Sequence, residues 1–75
     1  MITIDNLKEV INSLDVKDLN RIKNSTKEYV VLYLHTFNVG SYATVKLTNN
    51  CHLYRNVSHN GNVILDLSEV LNLIN

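Results

Sequence analysis

Histidine is the residue in this chain best suited to acid–base chemistry, because imidazole gains and loses a proton near neutral pH. His35, Lys46 and His52 fall in three successive strand-like segments, and Tyr54 lies in the same segment as His52. These four side chains could form a small nuclease site in which a histidine moves protons at a phosphate. No set of nucleophile, base and orienting group can be named among them, so an enzyme is the least favoured of three functional interpretations.

Metal binding and cysteine chemistry are also disfavoured. No carboxylate is expected beside His35 and His52, and a zinc site normally needs three or four protein ligands. His59 falls in a predicted turn, where solvent would surround it. Cys51 is the only cysteine, so an intrachain disulfide is impossible and we expect a buried, inert thiol. The sequence predicts neither a metal nor a cofactor.

The overall composition indicates one small folded domain of low net charge. The chain has 75 residues, of which seven are basic, seven are acidic and 45% are hydrophobic. This size fits a single domain over 1–75, and the balanced charge disfavours electrostatic binding to nucleic acid or to anionic membranes. No apolar run is long enough for a membrane span, and no signal-peptide pattern is present. We therefore expect a cytoplasmic protein.

Helical periodicity predicts two helices at the start of the chain and a short helix at its end. Thr3 or Asp5 can cap the first helix, and Asp15 the second, which should end near residues 24–26. Asp66 and Glu69 have the spacing of a capping box for the last helix. The predicted apolar stripes are Ile4, Leu7, Val10, Ile11 and Leu14 in the first helix, Val16, Leu19 and Ile22 in the second, and Leu67, Val70, Leu71 and Ile74 in the last.

Between these helices the pattern predicts an antiparallel meander of three to four strands, at 28–37, 42–48, 52–57 and 62–66. The predicted fold class is therefore α+β. Because paired residues share a face of the sheet, matching apolar positions fixes the register of each predicted hairpin.

Three connections follow from this matching. A loop over 38–41 pairs Leu32 with Leu47, and an odd loop over 49–51 then keeps the apolar residues on one face. Asn60-Gly61 is typical of a two-residue type I′ turn. That turn would place Val57 opposite Ile64 and, as an opposite-charge pair, Arg55 opposite Asp66.

The predicted register gives the sheet two different faces. The inner face is Val30, Leu32, Leu34, Ala43, Val45, Leu47, Leu53, Val57 and Ile64. The outer face is Tyr29, Val31, Tyr33, His35, Phe37, Tyr42, Thr44, Lys46, Thr48, His52, Tyr54, Asn56, Val63 and Leu65. If the helices all cover the inner face, the outer face is an aromatic patch larger than monomers usually expose. The alternative is that the helices cover both faces, which makes the aromatics ordinary core.

The leading prediction is a non-enzymatic interaction module that binds another protein, or a second copy of itself, through the outer face. Such a module would be a homodimer, or a small inhibitor or adaptor of the kind that phages and plasmids encode. The AT-rich codons of its twelve asparagines suggest that origin. The predicted partner-binding residues are the anchors Tyr33, Phe37, Tyr42 and Tyr54 and the polar residues His35, Lys46 and His52.

The second functional interpretation is a regulator that binds single-stranded nucleic acid. Aromatic side chains on a sheet can stack on unpaired bases, as many single-strand binders do. Apart from the histidines, Lys46 is the only basic group predicted on this face, and backbone neutralisation normally needs more positive charge than that. Nucleic acid is therefore less favoured than a protein partner, and the histidine-dependent nuclease comes third.

Overall fold

A computed structural model describes residues 7–37, 40–54 and 61–75 of the chain. Its helices are α1 (Leu7–Asn12), α2 (Val16–Lys23) and α3 (Leu67–Leu73), and its strands are β1 (Tyr29–Phe37), β2 (Gly40–Thr48) and β3 (Asn62–Asp66). A single-turn 3₁₀ helix, Cys51–Tyr54, lies between β2 and β3. The predicted α+β fold, with two helices before the antiparallel sheet and a short one after it, is confirmed.

The order of the strands across the sheet is β2-β1-β3, with β1 antiparallel to both neighbours. In a meander each strand would pair with the one before it, but here β3 pairs with β1 on the side opposite β2. The connection that leaves β2 must therefore cross β1 to reach β3. The side of the sheet on which this connection crosses β1 determines how much of the outer face stays exposed.

The β1–β2 hairpin has the predicted faces but a different register. Leu32 lies opposite Val45 and Leu34 opposite Ala43, a shift of two residues from the prediction. The strands are paired as far as Phe37 and Gly40, so only residues 38 and 39 connect them, which is the commonest hairpin loop length. Because the shift is an even number of residues, every side chain stays on its predicted face.

The predicted faces of β3 are wrong. Val63 lies opposite Leu32 and packs against the core, whereas Ile64 lies opposite Val31 on the outer face. Leu65, which lies opposite Val30, is also an inner residue. The prediction failed because it paired this strand with 52–57 instead of with β1. The predicted partners Arg55 and Val57, like the first residue of the Asn60-Gly61 turn, lie outside the described residues.

All three helices cover the inner face of the sheet. Ile11 of α1, Ile22 of α2 and Val70 of α3 are fully buried in one cluster with the β1 residues Val30 and Leu32. Burying each of these side chains contributes about 1.5–3 kcal/mol, and helices this short depend on such packing because they are marginal alone. The described helices are therefore not divided between the two faces.

The predicted starts of α2 and α3 agree with the structure, but parts of the predicted apolar stripes of these helices are exposed. Asp15 and Asp66 are the N-cap residues of α2 and α3, although neither side chain makes a capping hydrogen bond. Val16 was predicted to face the core but is 73% exposed at the first position of α2. Leu71, in the middle of α3, is 42% exposed. No described helix has the length and apolar character needed to cross a bilayer.

A polar contact that the sequence did not predict ties α1 to the residues at the end of α3. The Asn12 amide nitrogen donates hydrogen bonds to the backbone oxygens of Leu73 and Lys8, both at 2.8 Å. Its amide oxygen accepts a hydrogen bond of 3.0 Å from the backbone nitrogen of Asn75. Asn12 thus links α1 to the C-terminal end of α3 within the helical layer that covers the inner face.

Candidate functional site

Side-chain hydrogen bonds turn the chain out of β2 immediately after Thr48. The Thr48 hydroxyl accepts a hydrogen bond of 2.9 Å from the backbone nitrogen of Asn50. The Asn50 side-chain oxygen in turn accepts one of 3.2 Å from the backbone nitrogen of His52. Such local bonds compete with strand pairing. The predicted strand over 52–57 is therefore wrong at its start, where the 3₁₀ helix forms instead.

The 3₁₀ helix lies across part of the outer face. It contacts both β1 and β3, and the Cys51 side chain shares a hydrogen bond with Tyr29, an outer-face residue of β1. This position accounts for Val31, which points away from the helices and yet has no exposed surface. We call the part of the outer face around Tyr29 and Val31 the covered half.

The contact with Cys51 changes the acidity of Tyr29. The negative charge of the ionised thiol raises the pKa of the Tyr29 hydroxyl above its ordinary value of 10.0. Partial burial, the charge of Glu28, the hydrogen bond with Cys51 and the charge of Asp66 raise this pKa further. The sequence predicted a buried thiol, whereas Cys51 is partly exposed and in contact with a phenol.

Towards the β1–β2 turn, the outer face carries an ordered aromatic and polar cluster. The rings of His35 and Tyr42, which are directly opposite each other on β1 and β2, stack with centroids 4.7 Å apart and planes 22° apart. Nε2 of His35 lies 3.1 Å from the hydroxyl oxygen of Thr44. Tyr42 is nevertheless 46% exposed. These contacts hold a large, accessible ring in a fixed orientation on a paired sheet.

The neighbouring outer positions extend this cluster. Tyr33 lies opposite Thr44 and is partly buried, while Lys46 is exposed two positions further along β2. Because alternate residues of paired strands share a face, their side chains lie beside the cluster. We call this surface the open patch; it consists of Tyr33, His35, Tyr42, Thr44 and Lys46.

The structure brings together four of the seven predicted partner-binding residues, and it adds Thr44. His52 is exposed on the 3₁₀ helix, and its ring makes no hydrogen bond or ring contact with another described side chain. The side chains of Phe37 and Tyr54 are outside the described part of the structure. The described contacts of His35 are with Thr44 and Tyr42, and none of them is with His52.

Two other features of the described residues bear on ligand binding. No group of three His, Cys, Asp or Glu residues within the described ranges is arranged to hold a metal ion. A shallow groove of about 430 Å³ lies on the helical layer and is lined by Lys8, Glu9, Asn12, Ser13 and Asn75. Asn12 already uses its amide to bind the backbone around α3, so its presence in the groove has a structural explanation.

Comparison of the chain with known protein families, with characterised proteins and with solved structures finds no match. Function must therefore be argued from the open patch itself.

Proposed function

We propose that this protein is a non-enzymatic interaction module that binds another protein, or a second copy of itself, through the open patch. The observation that carries this proposal is the exposed Tyr42 ring, which is 46% accessible and stacked on His35. Tyrosine is enriched at protein interfaces because it offers a large contact area and a polar end. A ring that is already held in place also loses little conformational freedom on binding.

The contacts of His35 favour binding over catalysis. One ring nitrogen is near the Thr44 hydroxyl, and one ring face is against Tyr42. Acid–base catalysis by a histidine is usually supported by a carboxylate that orients the ring, and the described contacts of His35 include no carboxylate. In an interface, by contrast, the same contacts position a polar group beside an aromatic anchor.

Single-stranded nucleic acid is the second candidate ligand, because Tyr42 could stack on a base while Lys46 approaches a phosphate. The net charge of zero makes this candidate weaker than a protein partner. A fluorescence titration with oligothymidine at increasing salt separates the two. We expect no binding at physiological salt, whereas tight binding that falls steeply with salt would favour nucleic acid.

The direct test compares Tyr42→Ala with Leu71→Ala. Both wild-type side chains are large, apolar and exposed to a similar degree, at 46% and 42%, but Leu71 lies on α3, which packs on the other face of the sheet. Light scattering from micromolar to millimolar concentration measures self-association, and cross-linking in a lysate of the source cells measures foreign partners. We expect Tyr42→Ala to weaken the complex by tenfold or more and Leu71→Ala to leave it unchanged.

Circular dichroism and thermal unfolding are the controls for folding in both variants. Equal binding by Tyr42→Ala and the wild-type chain would contradict the proposed function. So would equal losses in the two variants, because the effect would then have no relation to the open patch.

A further inference from the structure

The backbone pairing shows which hydrogen-bonding groups of the sheet have no strand beside them. The backbone nitrogen of Leu34 donates to the oxygen of Gly61 at 3.0 Å, and that of Leu67 donates to the oxygen of Glu28 at 2.8 Å. Even-numbered residues of β1 therefore turn their N–H and C=O groups towards β3. Because these groups alternate along a strand, odd-numbered residues of β1 bond to β2.

The same alternation defines the free edge of β2. Tyr42 lies opposite the odd-numbered His35, so even-numbered residues of β2 bond to β1. The odd-numbered residues of β2 direct their N–H and C=O groups away from the sheet; they are Ser41, Ala43, Val45 and Leu47. Within the described residues no strand pairs with this edge. A row of this kind is a template for another strand.

We propose that the edge of β2 pairs antiparallel with β2 of a second copy of this chain, around a two-fold axis at Thr44. This inference rests on the proposed function, since it makes the open patch part of an interface between copies. In this register Ala43 exchanges hydrogen bonds with Val45 of the second copy, and Thr44 faces its own counterpart. The pairing runs the whole length of β2, and it keeps inner residues beside inner residues.

The side chains of β2 are complementary in this register. Tyr42 of each copy lies opposite Lys46 of the other, which places an ammonium group beside an exposed aromatic ring. The two Lys46 side chains are each two positions from the axis, which puts their Cα atoms about 14 Å apart. That distance exceeds the Debye length of about 8–10 Å, so their repulsion is largely screened.

The choice of a second copy over a foreign strand rests on this self-complementarity. A register centred on Lys46 would set two ammonium groups face to face, whereas the axis at Thr44 gives a neutral hydroxyl pair and two Tyr42–Lys46 pairs. The chain has a net charge of zero, so two copies do not repel each other as a whole. Pairing in this way makes one six-stranded sheet, on which the two open patches are adjacent.

A charge swap at the axis tests the register. Thr44 is exposed, and either Thr44→Lys or Thr44→Glu places like charges directly opposite each other in a homodimer. We expect each variant alone to dissociate at least tenfold more readily than the wild-type chain. An equimolar mixture of the two should regain the dimer, because opposite charges then meet. Leu71→Lys, which adds the same charge on α3, should leave the dimer unchanged.

Solution mass by sedimentation or light scattering, from micromolar to millimolar concentration, decides between the outcomes. Recovery of the dimer in the mixture supports the proposed pairing. A wild-type chain that stays monomeric overturns it, and so does a dimer that Thr44→Lys does not weaken or that the mixture does not restore.

The proposed function can fail or stand independently of the pairing. A complex that is lost in Tyr42→Ala but retained in Thr44→Lys overturns the edge pairing and leaves the proposed function standing. A dimer that depends on the charge at Thr44 but not on Tyr42 supports the edge pairing and contradicts Tyr42 as the anchor of the proposed function.

Discussion

The two faces of β1 are both rich in apolar residues, but they differ in how they are covered and in how much surface they expose. Its inner residues Val30 and Leu32 are buried beneath three helices, while on the outer face Val31 is buried beneath the 3₁₀ helix and His35 remains partly exposed. The apolar character of the side chains therefore does not by itself predict which residues of a strand are buried in the core. What decides it is the path of the chain that crosses the strand.

The coverings of the two faces also differ in construction. The helical layer contributes buried side chains from α1, α2 and α3, and Asn12 joins two of these helices. The outer covering is a single 3₁₀ turn that begins with the hydrogen bond from His52 to Asn50. The inner face should therefore contribute more to the free energy of unfolding than the outer face.

The largest loss of stability is expected from Leu32→Ala. Leu32 is fully buried in the cluster beneath the helices, and removing a buried leucine side chain typically costs about 2–5 kcal/mol. That is a large share of the roughly 5–15 kcal/mol that stabilises a small domain. Urea denaturation measures the change in the free energy of unfolding. A loss below about 1 kcal/mol would show that the helices do not form a close-packed core on β1.

A smaller but substantial loss is expected from Val31→Ala, which tests the covered half of the outer face. The substitution removes two methyl groups from a side chain with no exposed surface, so we expect the free energy of unfolding to fall by about 1–3 kcal/mol. Val16→Ala is the matched control, because the same substitution at a site that is 73% exposed should change stability by less than about 0.5 kcal/mol. Equal effects of the two substitutions would show that nothing covers Val31.

Local periodicity was sufficient to predict the fold class and the two faces of the β1–β2 hairpin. The helix starts at Asp15 and Asp66 and the inner positions Val30 and Leu32 all follow from spacings within one element. The register error of two residues did not affect the faces of β1 and β2, because an even shift preserves them. These features depend only on residues close together in the chain.

The features that the sequence did not predict depend on contacts between distant segments. Residues 63–65 of β3 are all apolar, so only their strand partner could decide which of them face the core. Asn49 and Asn50 were correctly predicted to lie in a loop. Their residue types suit a tight hairpin and a crossing connection equally well, so they could not show which strand follows β2. The role of Asn12 likewise requires that α1 lie beside the end of α3.

The smallest predicted effect is on the pKa of Tyr29, which reports whether the 3₁₀ helix is seated on the outer face. The first cause of the raised pKa of Tyr29 is the negative charge of the Cys51 sulfur. That charge opposes a second negative charge beside it and raises the pKa of Tyr29. Cys51→Ala should therefore lower this pKa towards 10.0.

Cys51→Ser separates the two contributions of the thiol, because a serine hydroxyl can keep the hydrogen bond but does not ionise in this range. A fall in the pKa of Tyr29 in both variants would identify the charge as the main cause, whereas a fall in Cys51→Ala alone would identify the hydrogen bond. The ultraviolet absorbance of tyrosinate follows the titration, and subtracting the curve of Tyr29→Phe isolates this residue. An unchanged pKa in both variants would place Cys51 away from β1. The covered half of the outer face would then be open, and the aromatic surface available to a partner would extend from Tyr42 to Tyr29.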